Sequence, residues 1–453
     1  MARLRRIERY TADLPPIDTL KLRKSLSAPG LLNIAKNCFA GLEDHRKGNV
    51  THSLVDSLMS GLAVFGFKAP SLLKFDETFN EDITRGNLKS LYGVQSVPSD
   101  TQLRVILDPV KPSDLRPAFI KIHQQLQRHK VMEPYRFLGG YLLLTDGTGM
   151  FSSNKISCPE CCIKGKKTPQ YYHQLLAAVI AHPDKKQVFP LFPEAITRQD
   201  GAEKNDCERN AGKRLFPTIK QAFPQRKFIV VEDSLASNAP HIDLLKSLDF
   251  NFILGVKGGD HEYLFEQVQS KLRAGETEEF EEIDEKGVIR GYRFVNQLPL
   301  NKTHSDLLIN YLEHWEIRPG HKETIFSWVT DIPLSRDNVT EVARGGRCRW
   351  KVENETFNTL KNQEYNLEHN YGHGKQHLAT VFANLMLLAF FIDQVQEACC
   401  PLFQLAQKKY LTRTGLWQGM QRRFEIGIFN SWDTFWKHLI YSNKRALVYI
   451  NSP

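Results

Sequence analysis

Two stretches of this chain end an apolar run on a carboxylate: Leu142-Leu143-Leu144-Thr145-Asp146 and Ile229-Val230-Val231-Glu232-Asp233. A carboxylate at the end of a buried strand is costly unless a cation meets it there. A third acid comes from Arg349-Trp350-Lys351-Val352-Glu353, a segment with helical spacing. Three carboxylates drawn from distant points suit phosphodiester chemistry. Two divalent cations about 4 Å apart can activate an attacking oxygen, stabilise a leaving oxygen and neutralise the charge between them. Mg²⁺ (or Mn²⁺) takes hard oxygen ligands and keeps several waters, so Asp146, Asp233 and Glu353 form a minimal set for a pair of ions. Either aspartate alone would read as the cap of a turn; the two together carry the reading.

The same helix carries Arg347, Arg349, Lys351 and Lys361. Four-residue steps drift by roughly 40° around a helix, so Arg349, Glu353 and Lys361 lie broadly on one side. These bases are expected to hold DNA; the alternative is ordinary ion pairing with Glu353 or Glu355. Cys158-x-x-Cys161, with Cys162, His173 and Cys207, invites a zinc reading. Structural zinc needs four ligands and only one CxxC is present, so structural zinc is not expected and the cysteines read as reduced thiols. Asp200-Gly201 with Lys204, Asp206 and Glu208 form a polar loop that could face the acids, and read rather as a helix-capping turn before Arg209. The run 368–377 is dense in histidine but matches no standard metal spacing; it reads as a loop that contacts DNA or packs near the acid-bearing helix.

Rigid elements must hold these acids, because ion separation sets the geometry of attack. Strands are predicted at 141–145, 172–181, 187–191, 227–232 and 250–256, with helices at 207–222 and 240–248. The order is β-β-β-α-β-α-β, with an acid ending the first strand and another ending the fourth. Gly147 and Ser234 would let backbone and substrate approach closely. From about 258 to 336 the pattern alternates, predicting antiparallel strands at 280–283, 288–298, 307–317 and 324–332 before helix resumes near 347. Residues 31–129 read as helical, including 54–65, 101–107 and a helix capped at Ser113-Asp114. The expected divisions are 1–135 (helical, DNA-binding or bracing), 136–257 (first part of an α/β core), 258–340 (β insertion), 341–398 (rest of the core, with the acid-bearing helix) and 399–453 (basic C-terminal region).

A chain of 453 residues is long enough for two or three packed units. The net charge of +9 points to a polyanionic partner, nucleic acid ahead of a membrane surface. Residues 1–30 carry seven Lys or Arg against three acids, and residues 401–453 carry eight against two, so both ends read as phosphate-contacting extensions. No secretory leader is expected, since no apolar segment follows the N-terminal arginines. The apolar stretch 377–397 is interrupted by Asn384 and Asp393 and reads as a core helix, so no membrane partner is expected. Eight cysteines without framework spacing suit a reducing, cytoplasmic compartment.

Taken together, Thr145-Asp146-Gly147-Thr148, Val231-Glu232-Asp233-Ser234 and Arg349-Trp350-Lys351-Val352-Glu353, with Phe357 and Leu360-Lys361, resemble the bacterial insertion-sequence transposases of the DDE class, in the insertion sequence four-like group. Spacings of 87 and 120 residues between the acids fit the subgroup with a β-rich insertion. The resemblance covers roughly residues 138–395. It implies an α/β RNase H-like (retroviral integrase superfamily) catalytic domain with an antiparallel β insertion, flanked by N-terminal and C-terminal helical regions. It also implies cleavage of double-stranded DNA at transposon ends, attack of the freed 3′-hydroxyl on target DNA, a homodimer or larger synaptic complex, and a nucleoid-associated location. The group's Tyr-x2-Arg-x3-Glu-x6-Lys signature is departed from twice: the Tyr position falls on Gly346, and the Lys comes one residue late, at Lys361. Glu355 therefore competes with Glu353 for the third acid. The other functional readings are a DNA-binding protein that keeps the fold without catalysis, and a nuclease without strand transfer. Trp315 or Trp328 could stack on an unpaired base, although such residues are more often core.

Overall fold

The structure is a computed structural model and describes residues 23–165, 168–200 and 204–441, with side chains at 199 and 204–207 outside the description. Most of the N-terminal basic cluster and the last two C-terminal bases, Lys444 and Arg445, lie outside the described residues.

Among the described residues twelve strands form one mixed sheet: β1 (Arg136–Phe137), β2 (Gly140–Ser153), β3 (Cys162–Lys164), β4 (Gln170–Ala181), β5 (Phe189–Pro190), β6 (Glu194–Ile196), β7 (Phe228–Glu232), β8 (Asn251–Gly255), β9 (Glu278–Ile283), β10 (Ile289–Asn301), β11 (His304–Ile317) and β12 (Thr324–Thr330). The main path runs β3-β4-β2-β7-β8-β12-β11-β10-β9. β2 is antiparallel to β4 but parallel to β7, and β7 is parallel to β8. Leu142-Leu143-Leu144 and Ile229-Val230-Val231 are buried, as expected of strands covered on both faces. The insertion strands are not a separate sheet: β12 pairs antiparallel with β8, so 278–330 extends the same surface.

Around the sheet lie α1 (Ala28–Ala40), α2 (Leu54–Gly66), α3 (Leu72–Phe79), α4 (Asp82–Asn87), α5 (Asp100–Leu107), α6 (Arg116–Arg128), α7 (Lys204–Ala222), α8 (Ala239–Ser247), α9 (Glu262–Arg273), α10 (Val339–Arg347), α11 (Asn358–Asn362), α12 (Leu378–Cys399), α13 (Pro401–Tyr410), α14 (Arg413–Ile426) and α15 (Trp432–Tyr441). Between α10 and α11 the chain makes a π-helical turn over Val352–Phe357. The turn signal at 97–100 is a capping box, in which Ser99 and Gln102 satisfy each other's backbone N–H groups. Ser113-Asp114 does not cap α6; it lies in a 3₁₀ turn, and α6 starts at Arg116 without a side-chain cap. α9 falls where alternation was expected to begin, because Leu264 and Val268, four residues apart, bury one helical face.

α12 is long and apolar enough to cross a membrane by length and composition, yet its apolar window is wholly buried in this chain, packed on α2. Its interrupting polar groups find partners there, except that Asn384 Oδ1 has none among the described residues. Asn384 donates to Thr380 O at 2.9 Å, and Asp393 accepts from Lys68 and Tyr365, both at 2.6 Å.

Candidate functional site

β2 does not stop at Asp146 but runs on to Ser153, paired with β4. What ends near Asp146 is its parallel partner: pairing with β7 runs from Tyr141↔Phe228 to Leu144↔Val231, and β7 closes at Glu232. The offset in that register is 87 residues, the same as between Asp146 and Asp233. The two aspartates thus occupy equivalent positions where adjacent parallel strands part. Both line one pocket, with Thr145, Glu208, Arg209, Glu232, Leu235 and His241. Both are partly buried.

The residues behind them are tied down. Thr145 Oγ1 donates to Glu232 Oε1 at 2.6 Å, and His241 Nε2 meets Glu232 Oε2 at 2.6 Å. Glu232, buried and doubly hydrogen-bonded, braces the strand pair. Asp233 Oδ1 accepts from Leu235 N at 3.0 Å, while the Arg209 guanidinium grips Leu235 O at 3.0 and 2.7 Å. Arg209 therefore fixes the turn that carries Asp233. Gly147 is not open to substrate on its Cβ side: a Cβ there would lie 2.3 Å from Glu208 Oε1. α7 begins at Lys204, so Glu208 and Arg209 stand on a helix beside the acids; Gly201 and the side chains of Lys204 and Asp206 fall outside the described residues.

The third segment reaches the pocket through Arg349, whose Nη1 sits 3.2 Å from Asp146 Oδ2 and whose guanidinium lies 4.9 Å from the Trp350 ring centroid. The π turn that follows packs against β2. Glu353 and Glu355 both lie in it, both partly buried. Among the described residues Glu353 has no side-chain hydrogen bond or ion pair. The remaining bases have internal partners: Arg347 pairs with Glu316 at 2.8 Å, Lys361 with Glu368 at 3.0 Å, and Lys351 donates to Lys185 O. In the C-terminal region Lys409 is buried, donating to Leu439 O and Ile440 O at 3.0 and 2.8 Å, and Arg413 pairs with Glu397 at 2.8 Å. Trp315 and Trp328 are core; Trp350 is the exposed one, at 48 %.

A second cluster corrects the expectation that structural zinc is absent. Cys158, Cys161, His173 and His373 bring their ligating atoms within 4.8 Å of one another, a group that could hold a metal such as zinc. Cys158 and Cys161 come from the loop before β3, His173 from β4, and His373 from the histidine-dense loop after α11. Cys162 instead points to Ile196 O at 3.6 Å, and the side chain of Cys207 lies outside the described residues. Burial, then the neighbouring Cys161, pushes the Cys158 thiol up to about 12; burial, then His373, pushes His173 down to about 4. Burial pushes His373 down as well, so both rings favour the neutral form that binds metals.

The sequence had flagged both halves of this cluster, but nothing in it joins Cys161 to a histidine 212 residues away. The loop bearing Glu208 also offers itself in the sequence as one that could face the acids, behind the capping-turn reading; the structure puts Glu208 and Arg209 in the pocket with both aspartates. Neither a protein-family model nor a curated protein sequence matches this chain.

Proposed function

We propose that this chain is a DDE transposase, cutting double-stranded DNA at the ends of a mobile element and joining the freed 3′-hydroxyl to a target. The observation that carries the reading is the in-register pair Asp146 and Asp233 in one pocket, with the Arg349–Glu353 segment laid against the same strand. An RNase H-like core is the fold reading that goes with it, supported by the order β4-β2-β7-β8, antiparallel and then parallel, with acids where β2 and β7 part. The departure at Lys361 also has a physical account. A π turn holds one residue more than an α turn, and the turn over Val352–Phe357 contains Glu353 and ends before Lys361. It absorbs the extra residue, and the Arg349-to-Glu353 step needs no adjustment. This favours Glu353 over Glu355.

The donor set suits hard divalent cations: Asp146, Asp233 and Glu353 offer only oxygen. Such ions would supply the charge neutralisation and nucleophile activation that cleavage requires. The protein's own share is positional. Thr145, Glu232 and His241 keep the strand ends rigid, and Arg209 holds the turn of Asp233. Arg349 neutralises Asp146 and is placed to pass to a backbone phosphate when DNA arrives. Trp350, exposed beside it, offers a face on which a base can stack. A dimeric or larger assembly on two ends, at the nucleoid, is part of the same proposal.

The test is incubation with Mg²⁺ and DNA carrying the ends of the chain's own element. Nicking followed by joining is expected. Asp146→Asn, Asp233→Asn and Glu353→Gln should each lower nicking more than about a hundredfold, beyond the usual loss for a group that only supports a metal ligand, while Glu355→Gln keeps most of it. Binding without nicking would sink the enzymatic reading. Nicking without joining would leave a nuclease, and activity surviving Glu353→Gln would move the third role to Glu355.

A further inference from the structure

We propose that Cys158, Cys161, His173 and His373 bind one structural Zn²⁺ ion, which fastens the segment following the acid-bearing helix to the edge of the sheet. The claim is independent of whether the acids are catalytic.

Four of the six ligand pairs are in close contact, and all four ligating atoms lie within 4.8 Å of one another. Cys158 Sγ and Cys161 Sγ are 3.4 Å apart, Cys158 Sγ and His173 Nε2 3.2 Å, Cys161 Sγ and His173 Nε2 3.4 Å, and Cys161 Sγ and His373 Nδ1 3.3 Å. Zinc with Zn–S of about 2.3 Å and Zn–N of about 2.0 Å gives tetrahedral edges of about 3.8 Å between sulfurs and about 3.5 Å between sulfur and nitrogen. Opening these four contacts by a few tenths of an ångström, with His373 adjusting against Cys158 and His173, therefore admits the ion. The sulfurs are far beyond the disulfide bond length of about 2.05 Å, and both cysteines are free.

Charge and burial agree with the geometry. Cys161, His173 and His373 are 2, 4 and 5 % exposed. On binding, two thiols lose their protons to solvent and two neutral imidazoles donate lone pairs, so the buried complex carries no net charge. His373 turns Nδ1 to the Cys161 thiol at 3.3 Å, which makes Nδ1 its ligand atom, while its ring packs 4.7 Å from that of Phe151.

The place of the site gives its role. β3, which follows the CxxC directly, is the outermost strand of the main path, and three residue pairs hold it to β4. His373 lies in the loop that leads from α11 into α12, whose other side is held by the N-terminal helices: Asp108 accepts from Lys375 N and Gln376 N at 2.8 and 3.0 Å, and Arg104 Nε donates to Tyr371 O at 3.2 Å. A metal would close the remaining side. It would join three chain segments that sequence separates widely, and so limit movement of the turn bearing Glu353.

The full chain, purified without chelator, is expected to carry one zinc per molecule by elemental analysis. His373→Gln and Cys161→Ser should each drop this to below about one-tenth, because a site short of a ligand loses most of its affinity. The second readout needs no variant: with Co²⁺ in place of zinc, the wild-type chain should show a thiolate-to-cobalt charge-transfer band and the intense visible bands of a four-coordinate ion. Chelation should make residues 363–377 newly sensitive to protease. A wild-type chain that holds neither zinc nor added Co²⁺ overturns the proposal, as does full zinc content in both folded variants. Nuclease activity enters none of these readouts, so this proposal and the transposase reading stand or fall separately.

Discussion

Lys68 is fully buried, and its charge is met by one carboxylate. Its Nζ lies 2.6 Å from Asp393 Oδ2 and 4.2 Å from the ring centroids of both Tyr365 and Trp417. Tyr365 OH donates to the same oxygen, so three parts of the chain depend on Asp393. Breaking such a pair from one side is far costlier than replacing both partners, because it leaves a charge in the interior. Asp393→Ala is expected to lower unfolding free energy by about 3–5 kcal/mol in urea titration, and Lys68→Met with Asp393→Leu by much less. Losses that simply add would show that the two groups are not coupled. Asp393 was legible in the sequence as an interruption of an apolar helix; its partner, 325 residues away, was not.

At the scale of elements, the missing tyrosine of the resembled signature has a steric explanation. Gly346 lies on α10 directly under Trp328 of β12, and a Cβ at this position would come within 2.5 Å of the indole. Trp328 fills the volume that a larger residue would need. The bare helix surface lets α10 close onto the extended sheet, where Gly345 likewise leaves a Cβ only 2.9 Å from Ile253 and Phe137. Gly346→Ala should therefore destabilise the chain by about 1–3 kcal/mol through overpacking, despite the better helix propensity of alanine. The loss should shrink when Trp328→Phe is added, as denaturant midpoints would show; an unchanged loss would place the strain elsewhere. The β insertion was recognisable from its alternation, but that it continues the core sheet depends on β12 meeting β8, which no local pattern encodes.

Across the whole molecule, His123 joins the N-terminal helices to the sheet and to α12. It donates from Nε2 to Pro190 O at 2.9 Å and packs 4.7 Å from the Phe391 ring. Burial, then the Arg226 charge, pushes its pKa down to about 3 from an ordinary 6.5. The unfolded chain thus takes up a proton below about pH 6.5 that the folded chain refuses until about pH 3. This contribution to stability is present above pH 6.5 and is lost as pH falls towards 3, at about 1.4 kcal/mol per unit. Urea midpoints measured from pH 7 down to 4.5 should fall less steeply for His123→Phe than for the wild type; equal slopes would refute the assignment.

Several things followed from sequence alone because they rest on short-range physics. Strand runs around Leu142–Leu144 and Ile229–Val231, the capping box at Ser99, the core character of α12 and the two aspartates that follow those runs are all written in local pattern and propensity. The choice of partners was decided by tertiary structure. Register sets Asp146 level with Asp233, α7 brings Glu208 and Arg209 to them, and Arg349 lies on Asp146 instead of on a neighbouring glutamate. The same holds for the cysteine–histidine cluster, which the sequence presented as a single CxxC with His173 and, separately, a histidine-dense run of no standard metal spacing. Ligand sets and ion pairs are properties of distance in space, and a chain that folds back over 212 residues to bring His373 to Cys161 leaves no periodic trace of it.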